Sequence, residues 1–388
     1  MLDVLRPRAW AALACVAVLA LAGCGGDDDE DEPAGGGAAP SETSAGVEEA
    51  TSMVEEAEQP ITEGPSVPAF DASGASGKKV WFVSLALAIP YSQQVWDGVQ
   101  QGADALGVET KSFDGKFSPA DVTRGIDLAI QDKADAIILH SLPAGVVAPA
   151  LEKADEAGIQ IVSAETQNPG PPLPDVPDTV DALAGHSYTI PAETMAAKVV
   201  EDSGGDANVL FLSASDIGPG SKQGTDAFVA KMEELCPDCE VKVEDSPVAQ
   251  WAGLTESIPS MLRANPDVNY IVPIFDGMAV TILPGIRSAG AEDVKLVSGD
   301  ATPSVLEAMA SGDVVVGDVG QPNVWTGVGI MDQTARLLVG EEPVEDIGVQ
   351  YRLFTDTNVG EIDLKADPST WYGDVDFLGD YEEIWGVG

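Results

Sequence analysis

Positive charge is what this sequence has least of. Its 388 residues carry 19 Lys and Arg against 65 Asp and Glu, a formal net charge of −46. A field of that sign repels nucleic acid and anionic lipid headgroups, which excludes both as partners and leaves cations as the only species steered inward. The excess reads chiefly as a hydrated acidic surface. Histidine is nearly absent: His140 and His186 fall at the ends of expected strands, at no metal-motif spacing. A ligand hydrogen bond from His140 is one reading, packing the other. No Gly-x-Ser-x-Gly elbow supplies a hydrolase nucleophile. Gly218-Pro219-Gly220 lacks the Gly-Lys-Ser/Thr that a phosphate loop requires. These gaps point to binding rather than to covalent chemistry, with no cofactor and no metal.

Cysteine is sparse, and its placement is informative. Arg6 and Arg8 precede the apolar run Ala9 to Ala22, too short to cross a bilayer and typical of a secretion signal, here residues 1–23. Leu21-Ala22-Gly23-Cys24 resembles the bacterial lipobox, which implies a lipid on Cys24 and the loss of Cys15 with the signal. The acidic run Asp27 to Glu32 and the Gly, Ala, Pro, Ser and Glu that follow cannot bury enough apolar area to offset chain entropy, so residues 24–77 are expected to form a flexible tether. Within it, Val47 to Glu58 shows some helical character. Cys236-Pro-Asp-Cys239 follows a helix instead of opening one. With an extracytoplasmic address this spacing predicts a local structural disulfide, not a low-pKa redox pair.

From Lys78 onward the pattern changes to apolar β-rich runs alternating with helical spacing. Strands are expected at Val80 to Leu87, Val108 to Phe113, Ala136 to Leu139 and Ile159 to Ala164, with a second series running from about Pro191 to Val319. Pro or Ser opens the intervening helices and Gly closes them, as at Ser118-Pro119, Gly107, Gly290 and Gly340. Such alternation predicts an α/β fold of two doubly wound parallel sheets. The Pro-rich stretch Asn168 to Thr179 reads as an elaborated connection between them. Ligands settle beyond the carboxyl ends of such strands, so the strand-to-helix loops are the place to look.

In those loops Ile89-Pro90-Tyr91-Ser92, Ala134-Asp135-Ala136-Ile137-Ile138, Ala264-Asn265-Pro266-Asp267-Val268, Val297-Ser298-Gly299-Asp300 and Tyr381-Glu382-Glu383-Ile384-Trp385 resemble the ribose-type periplasmic binding proteins. These are the type I solute receptors of ABC sugar importers. The resemblance covers residues 78 to 388 and implies two lobes joined by three crossings, near Gly185, Gln321 and Gly348. Residues 78–185 and 322–348 would form lobe 1, and 186–321 and 349–388 lobe 2. It further implies a monomer that closes on a small solute and hands it to a membrane permease.

On the family pattern Tyr91, Glu165, Trp251, Asp300 and Gln321 fall at ligand-contact positions. Several donors are replaced: Ile89 and Phe275 stand where asparagines are usual, Ser92 for an aromatic, and Thr166 and Ser221 for arginines. Asp276 follows Phe275, and Lys222 could substitute for the arginine missing at Ser221. The expected cleft is therefore acidic and aromatic. A sugar is the first reading of its ligand. An amine or quaternary ammonium ion is the alternative, because unpaired buried carboxylates and aromatic faces both attract cations. A sensory module docked on a receptor kinase would share the fold.

Overall fold

The structure, a computed structural model, describes residues 42–388. The expected signal segment, Cys24 and the first part of the tether lie outside those residues. The described chain opens with helix α1 (Glu42–Ala57) and continues with β1 (Lys79–Ser84), α2 (Pro90–Leu106), β2 (Glu109–Asp114), α3 (Pro119–Gln131), β3 (Ala136–His140), α4 (Ala148–Glu156), β4 (Gln160–Ala164) and β5 (Ala182–Ala184). The five strands pair in parallel in the order β2-β1-β3-β4-β5. Central β1 and β3 are buried almost throughout, as strands covered by helices on both faces must be. The edge strand β2 is only partly buried.

The second sheet follows from α5 (Thr189–Ser203), β6 (Asn208–Ser213), α6 (Pro219–Leu235), β7 (Glu240–Asp245), α7 (Leu254–Ala264), β8 (Tyr270–Pro273), α8 (Asp276–Ala289), β9 (Lys295–Gly299), α9 (Pro303–Ala310) and β10 (Val315–Gly320). Then come α10 (Asn323–Val339), β11 (Arg352–Phe354) and α11 (Phe377–Trp385). Its order is β11-β10-β9-β8-β6-β7, with β11 alone antiparallel. Capping follows the local chemistry. Ser118 Oγ accepts from Asp121 N at 3.3 Å, and Gly107 ends α2 at φ 69°. Cys236 and Cys239 are joined as a disulfide just after α6.

The three expected crossings are present: β5 to α5, β10 to α10, and α10 to β11. Two more join them, and both correct the sequence-based boundaries. Residues 42–77 are not a free tether. Helix α1 buries Gly46, Ala50 and Val54 on one stripe, packs on α5 and α6, and turns Glu48, Glu49, Glu55 and Glu56 to solvent. The chain then crosses to lobe 1. The Glu58 carbonyl accepts from Arg352 Nε at 3.1 Å, Ile61 N donates to the Tyr372 carbonyl at 2.6 Å, and Arg336 Nη2 reaches the Pro68 carbonyl at 2.6 Å. A low apolar content misled because the buried stripe is made of small residues.

The second correction is α11, which belongs with lobe 1 rather than lobe 2. Fully buried Tyr381 and Trp385 pack beside α10, and Trp385 Nε1 donates to Asp332 Oδ1 at 2.8 Å. Asp332 also pairs with Arg336 at 2.8 Å. One buried carboxylate thus ties α10, α11 and, through Arg336, the N-terminal strap.

Candidate functional site

The loops leaving the carboxyl ends of both sheets face each other across a cavity of about 520 Å³. Seven described non-glycine residues have positive φ, and six of them sit in these loops: Lys116 and Phe117 after β2, Ser141 after β3, Glu165 after β4, and Asp300 and Ala301 after β9. Backbone strain of this kind persists where the surroundings over-determine it, and it gathers at ligand sites. On one flank the lobes already touch. Gly220 N donates to the Thr166 carbonyl at 2.9 Å, and Asn168 N donates to Gln223 Oε1 at 2.8 Å.

At the floor stands the buried Glu165 carboxylate. His140 Nε2 lies 2.5 Å from Oε2, His186 Nδ1 lies 3.0 Å from Oε1, and the Tyr91 hydroxyl also donates to Oε1. Tyr188 OH donates to the Glu165 carbonyl at 2.9 Å. Burial alone would raise this carboxyl's pKa, but hydrogen bonds from the two histidines outweigh it and hold it well below the usual carboxylate range. An ionised Glu165 is an acceptor only, so both rings present N–H to it. His140 Nδ1 then accepts from Ser84 Oγ at 3.0 Å. The cluster is a preset array whose orientation is fixed from behind.

The second-lobe side of the floor holds three buried carboxyls. Asp276 Oδ2 accepts from Thr302 N and Thr302 Oγ1, each at 2.7 Å. Asp318 Oδ1 accepts from Ala301 N at 3.1 Å. Burial, reinforced by mutual repulsion, pushes Asp300 and Asp318 well above the carboxylate range; burial also lifts Asp276, to about 6. Asp276 Oδ1 and Asp318 Oδ2 have no donor in reach unless a carboxyl proton lies between them. A raised folded-state pKa means that Asp276 contributes most below its unfolded value near 4 and loses that contribution as pH rises through about 6. Asp276→Asn is therefore expected to stabilise the unliganded protein at pH 8 by up to about 3 kcal/mol and to have little effect at pH 4. Urea unfolding at the two pH values measures this, and equal effects at both would contradict the assignment.

Of the expected contacts, Tyr91, Ser92, Glu165, Trp251, Phe275, Asp276 and Asp300 line the cavity. The other four do not. His140 is fully buried behind Glu165 and positions it. Ser221 is buried in the first turn of α6, where its Oγ accepts from Ala214 N at 3.4 Å. Lys222 points to solvent and pairs with Asp226 at 2.5 Å. Gln321 is buried in its crossing. The expectation of unpaired carboxylates facing a cation also fails, since Glu165 has three donors and Asp300 is driven toward its neutral form.

His186 and Tyr188 were not among the expected contacts, yet they complete the floor. They follow β5, which is three residues long. The walls are apolar. Ile89, Pro90 and Phe117 come from lobe 1, and Ile217, Val248, Trp251, Phe275 and Val280 from lobe 2. Trp251 Nε1 is anchored on the Ser246 carbonyl at 2.8 Å, and its ring lies against α8 where a Cβ on Gly277 would come within 2.8 Å. No Lys or Arg lines the cavity.

The profile of a family described as periplasmic binding protein domain matches residues 80–342. Among curated relatives, the D-apiose import binding protein of Actinobacillus succinogenes is 27% identical over 240 residues, 60% of this chain and 73% of that protein. The ribose import binding protein of Escherichia coli is 23% identical over 287 residues, covering 73% and 92%. A solute binding protein from Agrobacterium vitis with bound allitol superposes with a TM-score of 0.65 at 19% identity, covering 74% of this chain and 98% of that one. The 5-methylthioribose transporter solute binding protein of Thermotoga lettingae gives 0.66 at 17% identity, covering 82% and 99%. At such identities the solved structures speak for the fold.

Proposed function

We propose, from the premise that this chain belongs to the periplasmic binding protein domain family, that it is an extracytoplasmic receptor that closes two lobes on a sugar or sugar-like polyol. It would present that ligand to an ABC permease, and a lipid on Cys24 would hold it at the membrane. The observation that carries this reading is the cleft floor. The ionised Glu165 accepts, Asp300 in its neutral form can donate, and the buried Ser92 Oγ and Asp276 Oδ1 have no partner of their own. A polyol hydroxyl both donates and accepts, so it suits this mixture better than an ammonium ion, which only donates. The curated relatives named for apiose and ribose import support the sugar class.

Binding without turnover is part of the same reading. Ser84, His140 and Glu165 form a hydrogen-bonded run in the order of a catalytic triad. Ser84, however, is fully buried and does not line the cavity, so the run orients the carboxylate. Among the described residues no helix is long and apolar enough to cross a membrane, which agrees with an anchor upstream of them.

Thermal melts of the full chain against pentoses, hexoses, polyols and small amines test the ligand class. A ligand at about 100 times its Kd adds about 2.7 kcal/mol. A shift with a sugar or polyol is expected. Shifts confined to amines would overturn the proposal.

A further inference from the structure

The polar groups of the cavity are gathered at its floor, and this separation from the walls says something about the ligand's other end. Among the described residues eight large hydrophobics are exposed, and three of them, Ile89 at 37%, Phe117 at 49% and Val280 at 42%, meet at this one mouth. Ile217, Val248 and Trp251 continue the same surface from lobe 2. Phe117 is held there by a left-handed backbone, φ 59°, beside Lys116 at 52°, a conformation a bulky residue rarely adopts without a purpose.

A free pentose or hexose carries hydroxyls around its whole edge. Seated on the Glu165 floor, it would turn its outer hydroxyls to side chains that offer neither donor nor acceptor, and each one buried that way is penalised. The walls instead suit carbon. Resting on the sugar reading above, we infer that the ligand is a sugar with an apolar substituent, an alkyl or aryl glycoside or an S-alkyl sugar. The polyol end faces Glu165, His186 and Asp300, and the substituent lies between Phe117 and Ile89 on one side and Val248, Ile217 and Trp251 on the other.

Isothermal titration of the full chain with D-ribose, D-glucose and D-galactose, their methyl, butyl and phenyl glycosides, and benzyl alcohol tests this. Affinity is expected to rise about fourfold for each methylene buried, with a heat-capacity change that grows more negative along the series. In the double variant Phe117→Ser with Val248→Ser that increment should shrink to less than twofold. Free sugars binding as tightly as their butyl and phenyl glycosides would overturn the inference and leave the sugar reading standing. Benzyl alcohol binding as tightly as the phenyl glycosides would overturn the sugar reading itself. No binding by any sugar or glycoside would overturn both.

Discussion

Glu165→Gln is expected to lose about 3–5 kcal/mol at pH 7, the usual result of breaking a buried, hydrogen-bonded charge cluster from one side. In a chain of this size that is a fall of roughly 6–10 °C in melting temperature. The amide keeps the shape of the carboxylate but turns two N–H donors toward groups that already donate: the His140 and His186 ring nitrogens and the Tyr91 hydroxyl. Its pH dependence separates this from a packing defect. Glu165 has a folded-state pKa below its unfolded value, so its contribution is fully present above the unfolded value of about 4.3 and is lost as pH falls toward the folded one. Calorimetry should find the gap between the two proteins wide at pH 7 and narrowing in acid below about pH 4. A gap that stayed constant with pH would mean that the carboxylate is not the source.

Gly98→Ala should be more damaging still, for steric reasons. Helices α2 and α10 cross with backbone against backbone. A Cβ on Gly98 would stand 1.9 Å from the Val324 carbonyl oxygen and 2.9 Å from Gly327 Cα, and one on Gly327 would stand 2.1 Å from the Val95 carbonyl oxygen. Main chain cannot move aside as a side-chain tip can, so the helices must separate and uncover the core between them. A cost above about 4 kcal/mol is expected, read as a lower urea midpoint with an unchanged slope, or as failure to accumulate folded protein. A wild-type midpoint would show that the crossing is looser than described.

How much was legible follows from what each residue has to do. The central strands announced themselves because both faces are covered, which makes their sequences continuous apolar runs, as in Val80 to Val83 and Ile137 to Leu139. Helix α1 did not, because it docks through Gly46, Ala50 and Val54, and small residues carry little hydrophobic signal. Strands β5 and β11, at three residues each, are too short for any period to register. At the site, Tyr91, Glu165, Trp251 and Asp300 were placed by their loops. His186 and Tyr188 were hidden because the strand that aims them was itself hidden. Lys222 was misplaced for a geometric reason: successive helical residues point about 100° apart, so a neighbour of Ser221 cannot stand in for it.

The pairing of α2 with α10 also governs when lobe 1 can fold. Asn323 Nδ2 donates to Gln94 Oε1 across 229 residues of chain, and Trp385, which seals the same core beside Gly102, is made later still. At ordinary synthesis rates Gln94 leaves the ribosome on the order of 10–50 s before Asn323. Throughout that interval the first sheet lacks the helix that covers one of its faces, and contacts of such long sequence separation form slowly in any case. For a chain read as exported this delay is useful. A lobe that cannot close its core until the end of the chain arrives stays unfolded long enough to be threaded through a translocon, and it completes itself on the far side.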